Sequence, residues 1–152
     1  MDANAKRTLA RQFIEAIPHS RALAMHLDEI EDGRAQISMP WDERLVGDPR
    51  TGVIHGGAVS ALMDTCCGAA VMSHPEAPAG TATIDLRIDY MRAAVPGQRI
   101  TARAHVYHIT RTVAFLRAEA HDETSLADGG LPVATATGAF TVERPAAKGG
   151  AQ

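Results

Sequence analysis

Aromatic residues are nearly absent from this 152-residue chain, where three Phe, two Tyr and one Trp make up 4% of the sequence. The core must therefore be built from Ala, Val, Ile, Leu and Met, within a hydrophobic fraction of 45% that is ordinary for a globular domain. Cysteine is as scarce. The only two, Cys66 and Cys67, are adjacent, which excludes a loop-closing disulfide between them and supplies no CxxC metal or redox spacing. They read as reduced thiols. Basic excess is missing too: charged residues are 22% and the formal net charge is -3, so the chain lacks the electrostatic footprint that tracks a phosphate backbone. No apolar run reaches the roughly 20 residues that a bilayer-spanning helix needs. The most apolar stretch, residues 58–72, holds Ser60, Asp64, Thr65 and Gly68 and reads as a buried core helix. The opening MDANAKRTLARQFIEAIP spreads charges among its apolar residues and has no small-residue cleavage pattern. We therefore expect a cytoplasmic protein that engages neither nucleic acid nor membrane. Neither a P-loop nor a G-x-S-x-G elbow occurs, so nothing supports a nucleotidase or an elbow-type serine hydrolase.

What is present fits one domain over 1–152, with a core at about 20–143 and a flexible tail over 144–152. Leu9, Phe13 and Ile17 recur at helical spacing and Pro18 ends the pattern, predicting a short amphipathic leading helix. Ala35, Ile37 and Met39 alternate after an Asp32-Gly33 turn signal, predicting a first strand or hairpin. Residues 42–53 are charged and irregular, with Gly47, Pro49 and Gly52. The next segment, HGGAVSALMDTCCGAAVMS, is apolar almost all round a helical wheel and must be wrapped on every side. Beyond residue 80 the period switches to two. Ile84, Leu86, Ile88 and Tyr90 alternate with Thr83, Asp85, Arg87 and Asp89, and further strands follow over residues 100–106, 113–120 and 133–142. One enclosed helix, at about residues 56–73, followed by a meander of strands is satisfied when the sheet curls round the helix. The expected class is α+β, a hotdog fold.

The chemistry gathers on that helix. His55-Gly56-Gly57 opens it. Glycines admit close approach to the backbone, and the first N–H groups of a helix have no intrahelical partner. With the helix dipole they make a site for a developing oxyanion; the alternative is that the glycines only permit tight packing. Asp64 lies within the helix, where aspartate is a poor helix former and seldom buried unpaired. It is either a structural carboxylate or a general base, the latter suited by partly apolar surroundings that raise its pKa. Gly56 and Asp64 are eight residues apart, roughly 12 Å at 1.5 Å per residue. One carbonyl cannot touch both. If both act on one carbonyl, base and donor come from different subunits, and the chemistry implies a dimer. Scattered histidines make no metal site: His105 and His108, three apart on a strand, are expected on opposite faces.

GVIHGGAVSALMDTCCGAA, followed by TIDLRIDYMRAAVPGQ and RTVAFLRAEAHD, resembles the phenylacetic-acid-degradation type of acyl-CoA thioesterase in the hydroxybenzoyl-CoA thioesterase superfamily, over about residues 45–142. The resemblance implies a wrapped helix, a two-subunit site, and homodimers that pair into tetramers. It implies an acyl-CoA substrate and no separate cofactor, coenzyme A being part of the substrate. Asp64 then activates water or attacks the thioester carbon, and the N–H of Gly56, with Gly57, holds the thioester oxygen. Thr83 falls where relatives orient the water, although an ordinary strand threonine fits there equally. His55 caps or buttresses the loop. Arg111 falls near the nucleotide end of coenzyme A, or is simply solvated. Relatives carry an Asn six residues before the HGG histidine; here Pro49 stands there, and proline donates nothing, leaving Asp48 or Arg50 to take the role or the role unfilled.

Two other readings compete. A hotdog module that binds acyl-CoA without hydrolysing it has little use for a buried acid near an oxyanion site. An enoyl-CoA hydratase needs Asp and His together on a loop entering the helix, an arrangement this sequence lacks. The acyl group is not legible: Met63, Met72 and Met91 line an adaptable pocket or fill the core.

Overall fold

The structure, a computed structural model, describes residues 2–147. Helix α3, Gly56–Met72, is the centre of the molecule. Most of its surface is Ala, Val, Leu, Met and Cys, with Leu62, Met63, Cys66 and Ala70 wholly without solvent exposure, and one stripe carrying Ser60, Asp64 and Thr65 is only half-buried. Around it curls a six-stranded antiparallel sheet in the order β1-β2-β6-β7-β8-β5. The strands are β1 (His26–Glu31), β2 (Arg34–Met39), β5 (Thr83–Tyr90), β6 (Ile100–Ile109), β7 (Val113–His121) and β8 (Ala134–Thr141). The remaining two, β3 (Val46–Asp48) and β4 (Val53–Ile54), form a small separate hairpin. This is the hotdog architecture. The face that meets α3 is lined by Ala35, Ala102, Ala104, Ala114, Ala118, Ala120, Ala134 and Ala136, all buried. Short side chains let the sheet close on the helix, and Phe140 is the one aromatic among the largest fully buried side chains. No helix among the described residues is long and apolar enough to cross a membrane.

The expected hairpin at 27–39 forms, and Gly33 takes φ +69 at its turn. Pro18 ends α1 (Ala3–Ala16) but also opens a second short helix, α2 (Pro18–Ala22), as its first residue, a position where its missing N–H costs nothing. In α1 the buried residue is Ile14, with Ala10 and Ile17 packed beside it, whereas Leu9 and Phe13 stay 57% and 61% exposed. The expected inward face of α1 is therefore corrected to one centred on Ile14. A further helix, α4 (Glu123–Asp128), was not expected; Asp122 caps its start by accepting from the Ser125 N–H, and Gly129 in the left-handed region ends it. Of the expected tail, Arg144 is tied down, donating to Glu76 and to the Arg111 carbonyl. Residues 148–152 lie outside the described ones.

Two bulges revise the alternation. In β5 the register shifts between Thr83 and Asp85, so Ile84 is the extra residue and Thr83 joins Leu86, Ile88 and Tyr90 on the face toward α3. Ile84 is left 57% exposed. In β6 a shift between Val106 and His108 pairs His105 with Arg117 and His108 with Phe115. Arg117 and Phe115 are two apart, so His105 and His108 share one face, a correction to the expected opposite placement.

The two edges of the sheet differ. The outer carbonyls of β1 are covered: Arg11 donates to Leu27 O at 3.2 Å and 3.3 Å, and Arg7 to Asp28 O at 3.5 Å. The other edge, β5, has β8 as its one partner strand among the described residues and is exposed along most of its length.

Candidate active site

His55 is the N-cap of α3, and its ring accepts the Gly57 N–H at Nδ1, 2.8 Å away. A side chain on residue 57 would sit 2.9 Å from that nitrogen, so the cap requires glycine there. The Gly57 N–H is thereby occupied. The Gly56 N–H has no intramolecular acceptor among the described residues, and it lies at the positive end of the helix. The Ala58 N–H donates to the His55 carbonyl at 3.0 Å, and the His55 N–H to Leu45 O at 2.7 Å, fixing the turn from both sides.

Two turns further on, Asp64 is half-buried, and Thr83 donates its hydroxyl to Asp64 Oδ1 at 2.7 Å. The β5 bulge makes this contact, since strict alternation would aim Thr83 away. The Cys67 thiol is pushed up to about 12, by burial first and then by the neighbouring Asp64 charge; burial likewise raises Cys66. Both thiols are protonated at neutral pH and are poor nucleophiles.

Beside Gly56 opens a cleft of about 280 Å³ lined by Val53, Ile54, Val59, Tyr90, Met91, Arg92, Ala93, Ala94 and Val133. Met91 thus lines this cleft, whereas Met63 is in the core and Met72 closes the far end of α3. Pro49 is exposed in the turn between β3 and β4. Its neighbour Asp48 is turned to Arg50, accepting from its backbone N–H at 3.0 Å and from its guanidinium. That guanidinium holds the Asp48 carboxyl below the usual range. The turn nonetheless passes close to the cap, since a side chain on Gly47 would meet His55 Cα at 2.8 Å. Arg111 stands exposed in the β6–β7 turn, engaged through its carbonyl by Arg144, and no hydrogen bond joins it to the other candidates. The structure thus gathers His55, Gly56, Gly57 and Met91 at one end of α3 and Asp64 with Thr83 further along.

Residues 51–127 match the family model described as the thioesterase superfamily. The chain belongs to that superfamily. A medium/long-chain acyl-CoA thioesterase, YigI of Escherichia coli K12, is 28% identical, the match covering 91% of this chain and 94% of the relative. A solved Pseudomonas aeruginosa protein is 33% identical with a TM-score of 0.76, over 89% of this chain and 97% of that one. The Escherichia coli PaaI protein of the phenylacetic acid degradation operon superposes with a TM-score of 0.78 at 20% identity, over 92% and 93% of the two chains, which speaks for the fold.

As a member of the thioesterase superfamily the protein is a thioester hydrolase, and the structure adds residues that the sequence did not single out. Tyr90 donates its hydroxyl to the Gly56 carbonyl at 2.7 Å, and Ser60 hydrogen-bonds the same phenol. Arg92 makes a two-pronged pair with the fully buried Asp122, at 2.6 Å and 2.9 Å. Asp122 also accepts from the Val95 N–H at 3.1 Å, so it pins the cleft-side chain to α4. One further array resembles a hydrolase triad: His121 contacts Ser125 Oγ at 2.9 Å and Glu119 at 3.1 Å. Ser125 is only 3% exposed, so no substrate carbonyl reaches it, and the array is a support for α4. Side chains separated by 30 or more positions met here with no local pattern to announce them; the capping signal of α4, DETSLADGG, was present in the sequence.

Proposed function

We propose that this thioesterase hydrolyses acyl-coenzyme A at a site assembled from two chains, with Asp64 of one as general base and the Gly56 N–H of the other as oxyanion donor. The carrying observation is that the two groups flank the uncovered edge strand. Thr83 at the start of β5 holds Asp64, and Tyr90 at its end holds Gly56. Antiparallel pairing of β5 with a second copy across a two-fold axis would complete the edge. It would also set the Asp64 end of one chain beside the Gly56 end of the other, spanning what roughly 12 Å of a single helix separates. Pairing of such dimers into tetramers is the corresponding higher assembly.

In the reaction, the Asp64 carboxylate takes a proton from water while the water oxygen adds to the thioester carbon. The negative charge that develops on the carbonyl oxygen meets the Gly56 N–H and the helix dipole. The C–S bond then breaks, and the departing thiolate receives the proton from Asp64. Thr83 occupies Oδ1 and leaves the other oxygen to the water. The aliphatic lining beside Gly56 suits an alkyl chain, in keeping with the medium/long-chain substrates in the name of the Escherichia coli relative. Coenzyme A enters as part of the substrate, with no resident cofactor.

Purified protein assayed for thiol release against short, medium, long and aromatic acyl-CoAs tests this reading. Over the chain lengths the cleft accommodates, kcat/KM should climb about fourfold per methylene, the equivalent of ~0.8 kcal/mol each. No thiol release from any member of the panel would sink it.

A further inference from the structure

Two consecutive glycines make the first turn of α3 intrinsically loose, because glycine surrenders the most backbone freedom on ordering and first-turn N–H groups lack helical partners. A donor that must meet an oxyanion cannot wander. The peptide joining Gly56 to Gly57 is held at both ends, its N–H by the His55 ring and its carbonyl from outside the helix, which restricts rotation about Gly56 and so the direction of the Gly56 N–H on the peptide before it. Tyr90, the last residue of β5, donates to the Gly56 carbonyl at 2.7 Å. Its ring packs beside Gly56, 3.4 Å from where a Cβ would stand, an ordinary van der Waals contact. The phenol has a single proton, and it goes to Gly56 O; Ser60, one turn along α3, therefore donates to the phenol oxygen. Two hydroxyls in series strengthen each other.

We propose that Tyr90 is a positioning residue for turnover, with Ser60 acting through it: together they hold the Gly56 donor in register with the reacting carbonyl. This rests on the reading of Gly56 as the oxyanion donor. The phenol does not itself meet the oxyanion. Helix carbonyls point toward the C-terminus and N–H groups toward the N-terminus, so Tyr90 grips Gly56 from the side away from the reacting atom. Its effect therefore falls on the transition state, where donor alignment matters, and little on substrate binding.

Steady-state kinetics on the best acyl-CoA, with Tyr90→Phe, Ser60→Ala and the double variant, test the role. Tyr90→Phe keeps the ring and should lower kcat about tenfold while KM stays within about twofold. The position of the pH–rate profile should not move. Ser60→Ala should lower kcat about threefold, and the double variant should be no slower than Tyr90→Phe alone, since Ser60 works only through the phenol. An unchanged kcat in Tyr90→Phe, a loss confined to KM, or losses that multiply in the double variant would each overturn the proposal. If Tyr90→Phe does not fold, Ser60→Ala decides: a lowered kcat at unchanged KM supports the role, and an unchanged kcat removes it. Failure of the thioesterase reading shows elsewhere, in a wild-type protein that releases no thiol; failure of the Tyr90 role leaves wild-type turnover intact and shows only in the variants.

Discussion

Aspartate in the middle of an apolar helix conflicts with local propensity, and such conflicts concentrate at functional positions. Asp64 was conspicuous for that reason; of the glycine pair before it, Gly57 has a structural use in the His55 cap, and Gly56 leaves its N–H open. Asp64→Asn keeps size and much of the hydrogen bonding, so turnover should drop by about 10²-fold or more while the circular dichroism spectrum and melting temperature remain those of the wild type. A folded Asp64→Asn with near wild-type turnover removes Asp64 from the chemistry. Thr83 is subtler. From alternation alone it belongs with Asp85 and Arg87 on the outer face, and only the extra residue at Ile84 turns it toward Asp64. Thr83→Val removes the hydroxyl at nearly constant volume and should cost about tenfold in kcat, and Thr83→Ser should restore most of it. If Val and Ser behave alike, the hydroxyl has no part in orienting the carboxylate.

At the scale of elements, helix α3 and the strands after it were legible because their signals are local: a segment apolar on all sides, then a change of period from 3.6 to two. The expected helix at about 56–73 is Gly56–Met72, and the expected strand at 133–142 is Ala134–Thr141. Less legible were the places where a single inserted residue changes facing, in β5 and β6, and the contacts that join distant elements. The Arg92–Asp122 pair is of the second kind: it ties the end of the cleft to α4 across 30 positions. Asp122 has no solvent exposure, and the Arg92 guanidinium, with the N–H groups of Ser125 and Val95, holds its carboxyl below the ordinary range. Removing the carboxylate leaves the half-buried Arg92 cation and the N–H groups around Asp122 poorly matched, so Asp122→Asn should destabilise the fold by about 2 kcal/mol at pH 7 in urea denaturation. A lowered carboxyl pKa binds fewer protons in the folded state than in the unfolded one. Its stabilisation is therefore complete above the unfolded carboxylate value of about 3.9 and is lost as the pH falls below it. The wild type should lose stability more steeply than Asp122→Asn on acidification below about pH 4, and equal slopes would mean that the pair does not carry this linkage.

For the whole molecule the decisive feature is the contrast between two sheet edges, one covered by the arginines of α1 and the other left open beside both parts of the proposed site. A two-chain site makes a prediction that a one-chain site cannot. Asp64→Asn removes the proposed base, and Gly56→Pro removes the N–H proposed to face the oxyanion. Proline is compatible with this first helical position: His55 before it is extended, at φ -63 and ψ 135, the conformation a pre-proline residue adopts. Each variant alone should be nearly inactive, because every site lacks one part. In a mixed dimer one site carries both defects and the other carries neither, since its base comes from one chain and its donor from the other. Random exchange gives half heterodimers, each with one intact site of two, so mixing the two inactive proteins should restore about a quarter of wild-type activity. Native mass spectrometry reports whether heterodimers form, and circular dichroism whether Gly56→Pro is folded. Heterodimers of folded chains that stay inactive would mean that Asp64 and Gly56 do not serve one carbonyl from opposite chains, and the open edge of β5 would then need another explanation.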